Sequence, residues 1–208
     1  MSLYPISLNL SGRTCAVIGG GAVAERKVES LLEHGAAVRV VSPEITHGLS
    51  EWASEGRIEH VESEYRPEHL DGALLVIGAT DDRGTNKQVS SDAHDRGMLV
   101  NIVDDPELCS FFVPASVTRG DLVISVSTSG KSPAMARRIR EELEARYGPE
   151  YGLLADLLGS LRDEIKAKYA TMDERASVYN RILDSDALRL LAEGRHDEAL
   201  ETAQKCIW

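Results

Sequence analysis

The chain has little of several things, and each shortage excludes something. Three cysteines in 208 residues, Cys15, Cys109 and Cys206, lie far apart without a C-x-x-C. They offer neither a disulfide frame nor a zinc ribbon, and they predict a reduced, cytoplasmic protein. The six histidines, at 34, 47, 60, 69, 94 and 196, form no H-x-x-x-H or H-E-x-x-H pair, so no metal site is expected. Aromatic residues make up 5% of the chain, and Trp52, Phe111 and Phe112 read as core rather than as stacking platforms. No apolar run is longer than a strand, so no membrane span is expected. The start, MSLYPISLNLSGR, has no basic region ahead of a long apolar one, which predicts no secretory leader.

Positive charge is also scarce. Lys and Arg number 23 against 34 Asp and Glu, a net charge of -11, which argues against nucleic-acid binding. The shortage is uneven: nine cations face eighteen anions in residues 1–113, six face five in 114–150, and eight face eleven in 151–208. Only the middle segment is not acidic, so an anionic substrate is expected to meet the chain there.

What is present starts with Thr14 to Lys27, TCAVIGGGAVAERK. Gly19, Gly21 and Ala24 fit G-x-G-x-x-G/A, with Gly20 between them. The pattern follows a strand at Cys15 to Ile18 and opens an amphipathic helix near Val23 that ends at His34-Gly35. In that context it predicts a dinucleotide site, with the helix N-terminus turned to the pyrophosphate. Strand Ala37 to Val41 then runs into Ser42-Pro43-Glu44, where such folds place a ribose-binding acid. The first acid is Glu44, beyond a proline, and no Arg follows the strand, which leans towards NAD over NADP.

Helix Ile45 to Gly56 and strand Ile58 to Val61 come next. An apolar strand, Ala73 to Ala79, ends in Thr80-Asp81-Asp82 at the carboxyl edge, where ligands of such sheets bind. Helix Asn86 to Arg96 and strand Met98 to Val103 lead to Asp104-Asp105-Pro106. The pattern then changes. Ser110 to Pro114, Ala115 to Arg119 and Leu122 to Thr128 read as successive strands, the last two antiparallel, as would suit a dimer contact. Ser132 caps a helix over Ala134 to Tyr147, and the last 58 residues read as helices at Leu153–Tyr169, Asp173–Leu183, Ala187–Ala192 and Asp197–Cys206. The expected fold is α/β. A Rossmann-like parallel sheet (1–113) precedes a small dimerisation segment with a substrate loop (114–147) and a helical C-terminal domain (148–208).

Two clusters could do chemistry beside the glycine turn. Asp104, at the end of the fifth strand, could take a proton from a carbon acid as hydride leaves for a nicotinamide, or could be a solvated turn residue. The loop Ser127 to Pro133, with Thr128, Ser129, Gly130, Lys131 and Ser132, resembles an anion cradle, or a well-capped helix start. Arg137, Arg138 and Arg140 follow beside Glu141, Glu142 and Glu144, a partly self-compensated face where a polycarboxylate would still find its best partners.

Taken in order, these motifs resemble the precorrin-2 dehydrogenase family, the N-terminal module of siroheme synthase, also called the sirohydrochlorin ferrochelatase family. The matching stretches are Tyr4-Pro5-Ile6, Gly19 to Lys27, Ala79 to Asp82 with Asn86, Val100 to Pro106, Phe111 to Ala115, Ser127 to Glu141 and Ala170 to Tyr179. The resemblance implies NAD-dependent oxidation of precorrin-2 to sirohydrochlorin by a homodimer, with Asp104 as the catalytic residue. It implies nucleotide contacts at Ala22, Val23, Pro43 and Glu44, and it puts the family's small hydroxyl residue of the substrate loop at Thr128. Some members also insert Fe²⁺ and others only oxidise. The macrocycle, an anion of many carboxylates, is expected between the non-acidic segment and the nicotinamide. A non-catalytic NAD(H) sensor would share the glycine turn, but it gives no reason for an anion-cradling loop.

Overall fold

In the computed structural model, which describes residues 3–208, the chain divides between Val113 and Pro114 into two compact units. The first is built on β1 (Thr14–Ile18), β2 (Ala37–Val41), β3 (Ile58–Val61), β4 (Leu75–Gly78) and β5 (Leu99–Ile102). All neighbours are parallel, in the order β3-β2-β1-β4-β5. Helices α1 (Ala22–Glu33), α2 (His47–Ser54) and α3 (Arg83–Asp95) connect them, with a 3₁₀ turn at Pro67–Leu70 between β3 and β4.

Alternation along the strands explains the layers. Cys15, Val17, Val38, Val40, Leu75 and Ile77 pack with Ala24, Val28 and Leu31 of α1 and Leu49 of α2. Ala16, Ile18, Val76, Val100 and Ile102 face the other way, onto Val89 and Ala93 of α3. Since successive side chains of a strand point to opposite faces, an apolar run such as TCAVI is stable only with helices on both sides. The strand order reverses between β1 and β4, and the glycine turn sits at that switch point.

One expected strand is absent. Ser110 to Pro114 adds no ladder to the sheet but is tied to β5 locally. The Ser110 N–H donates to Val100 O (2.8 Å), the Val100 N–H to Ser110 Oγ (2.9 Å), and Asn101 Nδ2 to Phe111 O (3.0 Å). Side chains here take bonds that a sixth strand would need, and Pro114 has no N–H to donate.

The second unit opens with an antiparallel ribbon, β6 (Ala115–Arg119) and β7 (Leu122–Val126), covered by α4 (Pro133–Arg146). Five helices follow: α5 (Glu150–Ser160), α6 (Arg162–Lys168), α7 (Met172–Leu183), α8 (Ala187–Ala192) and α9 (His196–Ile207). The helix expected over Leu153 to Tyr169 is therefore broken at Leu161. Gly159 and Ser160 are weak helix formers, and Ser160 Oγ donates to the Leu157 carbonyl at 2.7 Å, the acceptor the Leu161 N–H reaches only at 3.3 Å.

Leu161, Ile165, Val178, Ile182, Ala203 and Ile207 form one core of this unit. Ile182 is fully buried there, so Ile182→Ala is expected to lower stability by about 2–5 kcal/mol, transfer and cavity terms together. Denaturant unfolding measures this. A loss under about 1 kcal/mol would mean that the site collapses around the smaller side chain.

Candidate functional site

The carboxyl ends of β1, β2 and β4 surround a cavity of about 600 Å³. The three glycines with Ala22 and Val23, the turn Ser42-Pro43-Glu44, and Thr80-Asp81 all line it. These are the ten residues that sequence reasoning assigns to a cofactor, brought from three separate crossovers to one place.

The glycines differ in what they do. Gly19 has φ +119°, a region closed to most side chains, and a Cβ there would overlap the Ala79 carbonyl. A Cβ on Gly20 would overlap the Glu44 carbonyl. That close approach is held by Gly19 N–H to Val41 O (2.9 Å) and Thr46 N–H to Gly20 O (2.9 Å). Gly21 is extended, at φ -82° and ψ -178°, and a Cβ there would meet nothing within 4 Å. The fold requires the first two glycines and leaves open space at the third.

Gly21 is also the N-cap of α1, and no side chain caps that end. Thr46 caps α2 and Asp82 caps α3, so among the described α-helices of this unit α1 alone begins uncapped. Its first N–H groups belong to Ala22 and Val23, both on the cavity. Free donors, a positive helix end and unfilled space at a glycine are what a pyrophosphate fits. The residues present therefore suit a dinucleotide.

Around this cradle the polar groups are tied down. Ser42 Oγ donates to the Glu44 carbonyl (2.6 Å), so its proton folds the turn. Thr80 Oγ1 lies 3.1 Å from Asp82 O and 3.2 Å from Asn86 Oδ1, and Asn86 Nδ2 returns a bond to Thr80 O (2.8 Å). The Asp82 carboxylate accepts from Thr85 Oγ1 (2.6 Å) and from the N–H groups of Gly84 (2.9 Å) and Thr85 (3.1 Å). The Thr85 hydroxyl first, then those N–H groups, hold this carboxyl below the usual aspartate range, so it is anionic at neutral pH.

Asp104 does not line the cavity, but it leaves the sheet beside it. Gly78 of β4 pairs with Ile102 of β5, and the Val103 N–H donates to Gly78 O (2.9 Å), so Thr80 and Asp104 stand two residues past paired positions on adjacent strands. Asp104 has φ +60°, a left-handed conformation that Asp adopts more readily than most residues. Its turn is braced by Arg83 to Asp105 (3.6 Å) and by Cys109, whose Sγ accepts the Ile102 N–H at 3.1 Å. Burial pushes the Cys109 thiol up, keeping it neutral as a brace should be. The Asp104 carboxyl is exposed and has no partner among the described residues.

In the second unit the loop before α4 uses half of its own amide donors. The N–H groups of Lys131 and Ser132 bond to Thr128 O and Oγ1 (3.0 Å each), that of Ser129 to Ser127 Oγ (3.2 Å), and that of Met135 to the capping Ser132 Oγ (3.2 Å). Ser129 and Gly130 have φ +53° and +78°. What remains for an anion is the N–H groups of Ser127, Thr128 and Gly130, which have no partner among the described residues, with hydroxyl protons and side-chain charge. Arg138 pairs with Glu142, and Arg140 with Glu141 and Glu144. Lys131 and Arg137 have no carboxylate partner among the described residues, so their charge is uncompensated.

Sequence reasoning passed over Ser63, Glu64 and Tyr65, which also line the cavity. The signal was their position just past the end of β3, the same edge as Ser42 on β2. Tyr65 donates from its hydroxyl to Asp92 Oδ2 (2.9 Å), which pins this turn to α3.

Comparison with known proteins divides the chain in the same order. A family model for NAD(P)-binding matches residues 6–115, one for the sirohaem biosynthesis protein central region matches 119–146, and one for the sirohaem synthase dimerisation region matches 150–207. The chain is 39% identical over 207 residues to a siroheme synthase of Methylobacillus flagellatus, covering 100% of this chain and 44% of that protein. It is 40% identical over 199 residues to one of Photorhabdus laumondii, covering 96% and 42%. It thus spans less than half the length of these relatives. A solved structure described as SirC, precorrin-2 dehydrogenase, superposes with TM-score 0.78 at 28% identity, over 98% of this chain and 100% of that one.

Proposed function

We propose, from the premise that the chain belongs to the siroheme synthase family as its NAD(P)-binding, central and dimerisation segments, that it oxidises precorrin-2 to sirohydrochlorin with NAD. The observation that carries this is the uncapped α1 beneath Gly21, opening on a cavity that gathers all the expected nucleotide residues, one strand away from an unpaired carboxylate.

When bound, the cofactor supplies the hydride acceptor. The chain supplies the rest. The glycine turn with Ala22 and Val23 holds the pyrophosphate, and Ser42, Pro43 and Glu44 with Thr80 and Asp81 close round the nucleotide. Asp104 takes the proton. Of the two hydrogens the substrate loses, the proton would go to this carboxylate, the bound cofactor supplying the acceptor for the other as hydride, so charge and electrons would balance. Thr128, Ser129, Gly130, Lys131, Ser132 and Arg137 bind carboxylates of the macrocycle, through hydroxyl and main-chain donors and the two uncompensated cations. If the chain also inserts Fe²⁺ into the product, as some members of the family do and others do not, the same carboxylate would take the protons that leave the ring nitrogens. We further propose a cytoplasmic homodimer, formed through the central and dimerisation segments.

Purified chain given NAD and precorrin-2 is expected to produce the sirohydrochlorin spectrum and NADH together. Tight NAD binding with no new spectrum would favour the sensor instead.

A further inference from the structure

The ribose-binding acid that such sheets carry at the end of β2 is missing here: that position is Ser42, whose hydroxyl is committed to Glu44 O. The Glu44 main chain is drawn over the glycine turn, its carbonyl against Gly20 and Thr46 N–H on Gly20 O, so this residue is held at the cradle rather than at the end of β2. The nucleotide must extend outward from β1 across β2 towards β3. Val41 pairs with Val61, and the Ser42 N–H donates to Val61 O (3.2 Å), so the residues after β3 leave the sheet beside those after β2. Ser63, Glu64 and Tyr65 do so and reach the cavity, on a turn pinned by the Tyr65–Asp92 bond.

Resting on the cofactor reading above, we propose that Glu64 supplies the missing acid: it accepts the hydroxyls of the adenine ribose and excludes a 2′-phosphate. The charge around it agrees. Glu44, Glu64, Asp81 and Asp82 line the cavity, and among the described residues no Lys, Arg or His does. A dianionic phosphate would enter a ring of carboxylates with no cation to meet it, whereas a ribose hydroxyl would find an acceptor.

The test is direct binding of NAD and of NADP to the full chain by calorimetry, with each variant's fold checked by thermal unfolding. Glu64→Gln is expected to weaken NAD about 10-fold, as loss of a charge-assisted hydrogen bond does. Glu64→Arg is expected to weaken NAD and tighten NADP, moving the NADP-to-NAD preference by about 100-fold. Glu62→Arg makes the same charge change at an exposed residue off the cavity, and screening should hold its effect on that preference to about threefold. The proposal is overturned if both Glu64 variants leave the preference within threefold of wild type, or if Glu62→Arg shifts it as far as Glu64→Arg. A wild-type chain that binds neither dinucleotide sinks the cofactor reading itself.

Discussion

Asp104→Asn is expected to lower precorrin-2 oxidation by about 10²–10⁴-fold while the dissociation constant for NAD stays within twofold. Asparagine is the sharper probe than alanine because of the backbone. Asp104 sits at φ +60°, where Asp and Asn are tolerated and alanine is strained by about 1–2 kcal/mol. Asparagine keeps the turn and the shape and removes only the group that can take a proton. Asp104→Ala should show the same loss of turnover with NAD binding intact, plus a small loss of stability. The carboxyl pairs with nothing among the described residues, so no ion pair fails when it is neutralised. Turnover of Asp104→Asn within about threefold of wild type would remove the residue from its role as base, and the brace around Asp105 and Cys109 would then be ordinary loop packing.

Much of this arrangement could be read before any coordinates, and the clearest boundaries are those set by turn residues. The sequence reading has the bounds of β2, β3 and α8 as the structure has them, and Gly35, Gly56 and Gly194, all at positive φ, lie just before β2, just before β3 and just after α8. The glycine turn was legible because each glycine answers a local need. What failed was decided elsewhere. Ser110 to Pro114 has the composition of a strand, yet its bonding partners are the Val100 main chain and the Asn101 side chain, which no local pattern reveals. The break at Leu161 depends on one hydroxyl competing for one carbonyl. Glu64 was missed because its place at the cavity follows from the order β3-β2-β1, a property of the assembled sheet rather than of the residues after Val61. The loop at Thr128 was legible as polar and small, but only the folded chain shows that the amides of Ser129, Lys131 and Ser132 already have partners.

The glycine turn permits a test in which binding and stability move apart. Gly21→Ser is expected to leave the fold as stable as wild type, or more stable by a few tenths of a kcal/mol, while weakening NAD by at least about 100-fold. Serine is a favoured N-cap, position 21 has an extended backbone open to any residue, and a Cβ there meets nothing. The new hydroxyl would satisfy the N–H groups that α1 leaves free and would stand where the pyrophosphate must come close. Gly20→Ala should do the reverse in order of cause. Its Cβ overlaps the Glu44 carbonyl, so it should cost about 1–3 kcal/mol or more in stability and lose NAD only because the turn is distorted. Thermal unfolding and NAD titration on the two variants separate the cases. If Gly21→Ser binds NAD within threefold of wild type, the open space at that glycine does not serve a pyrophosphate, and the cavity at the β1/β4 switch point must hold something else.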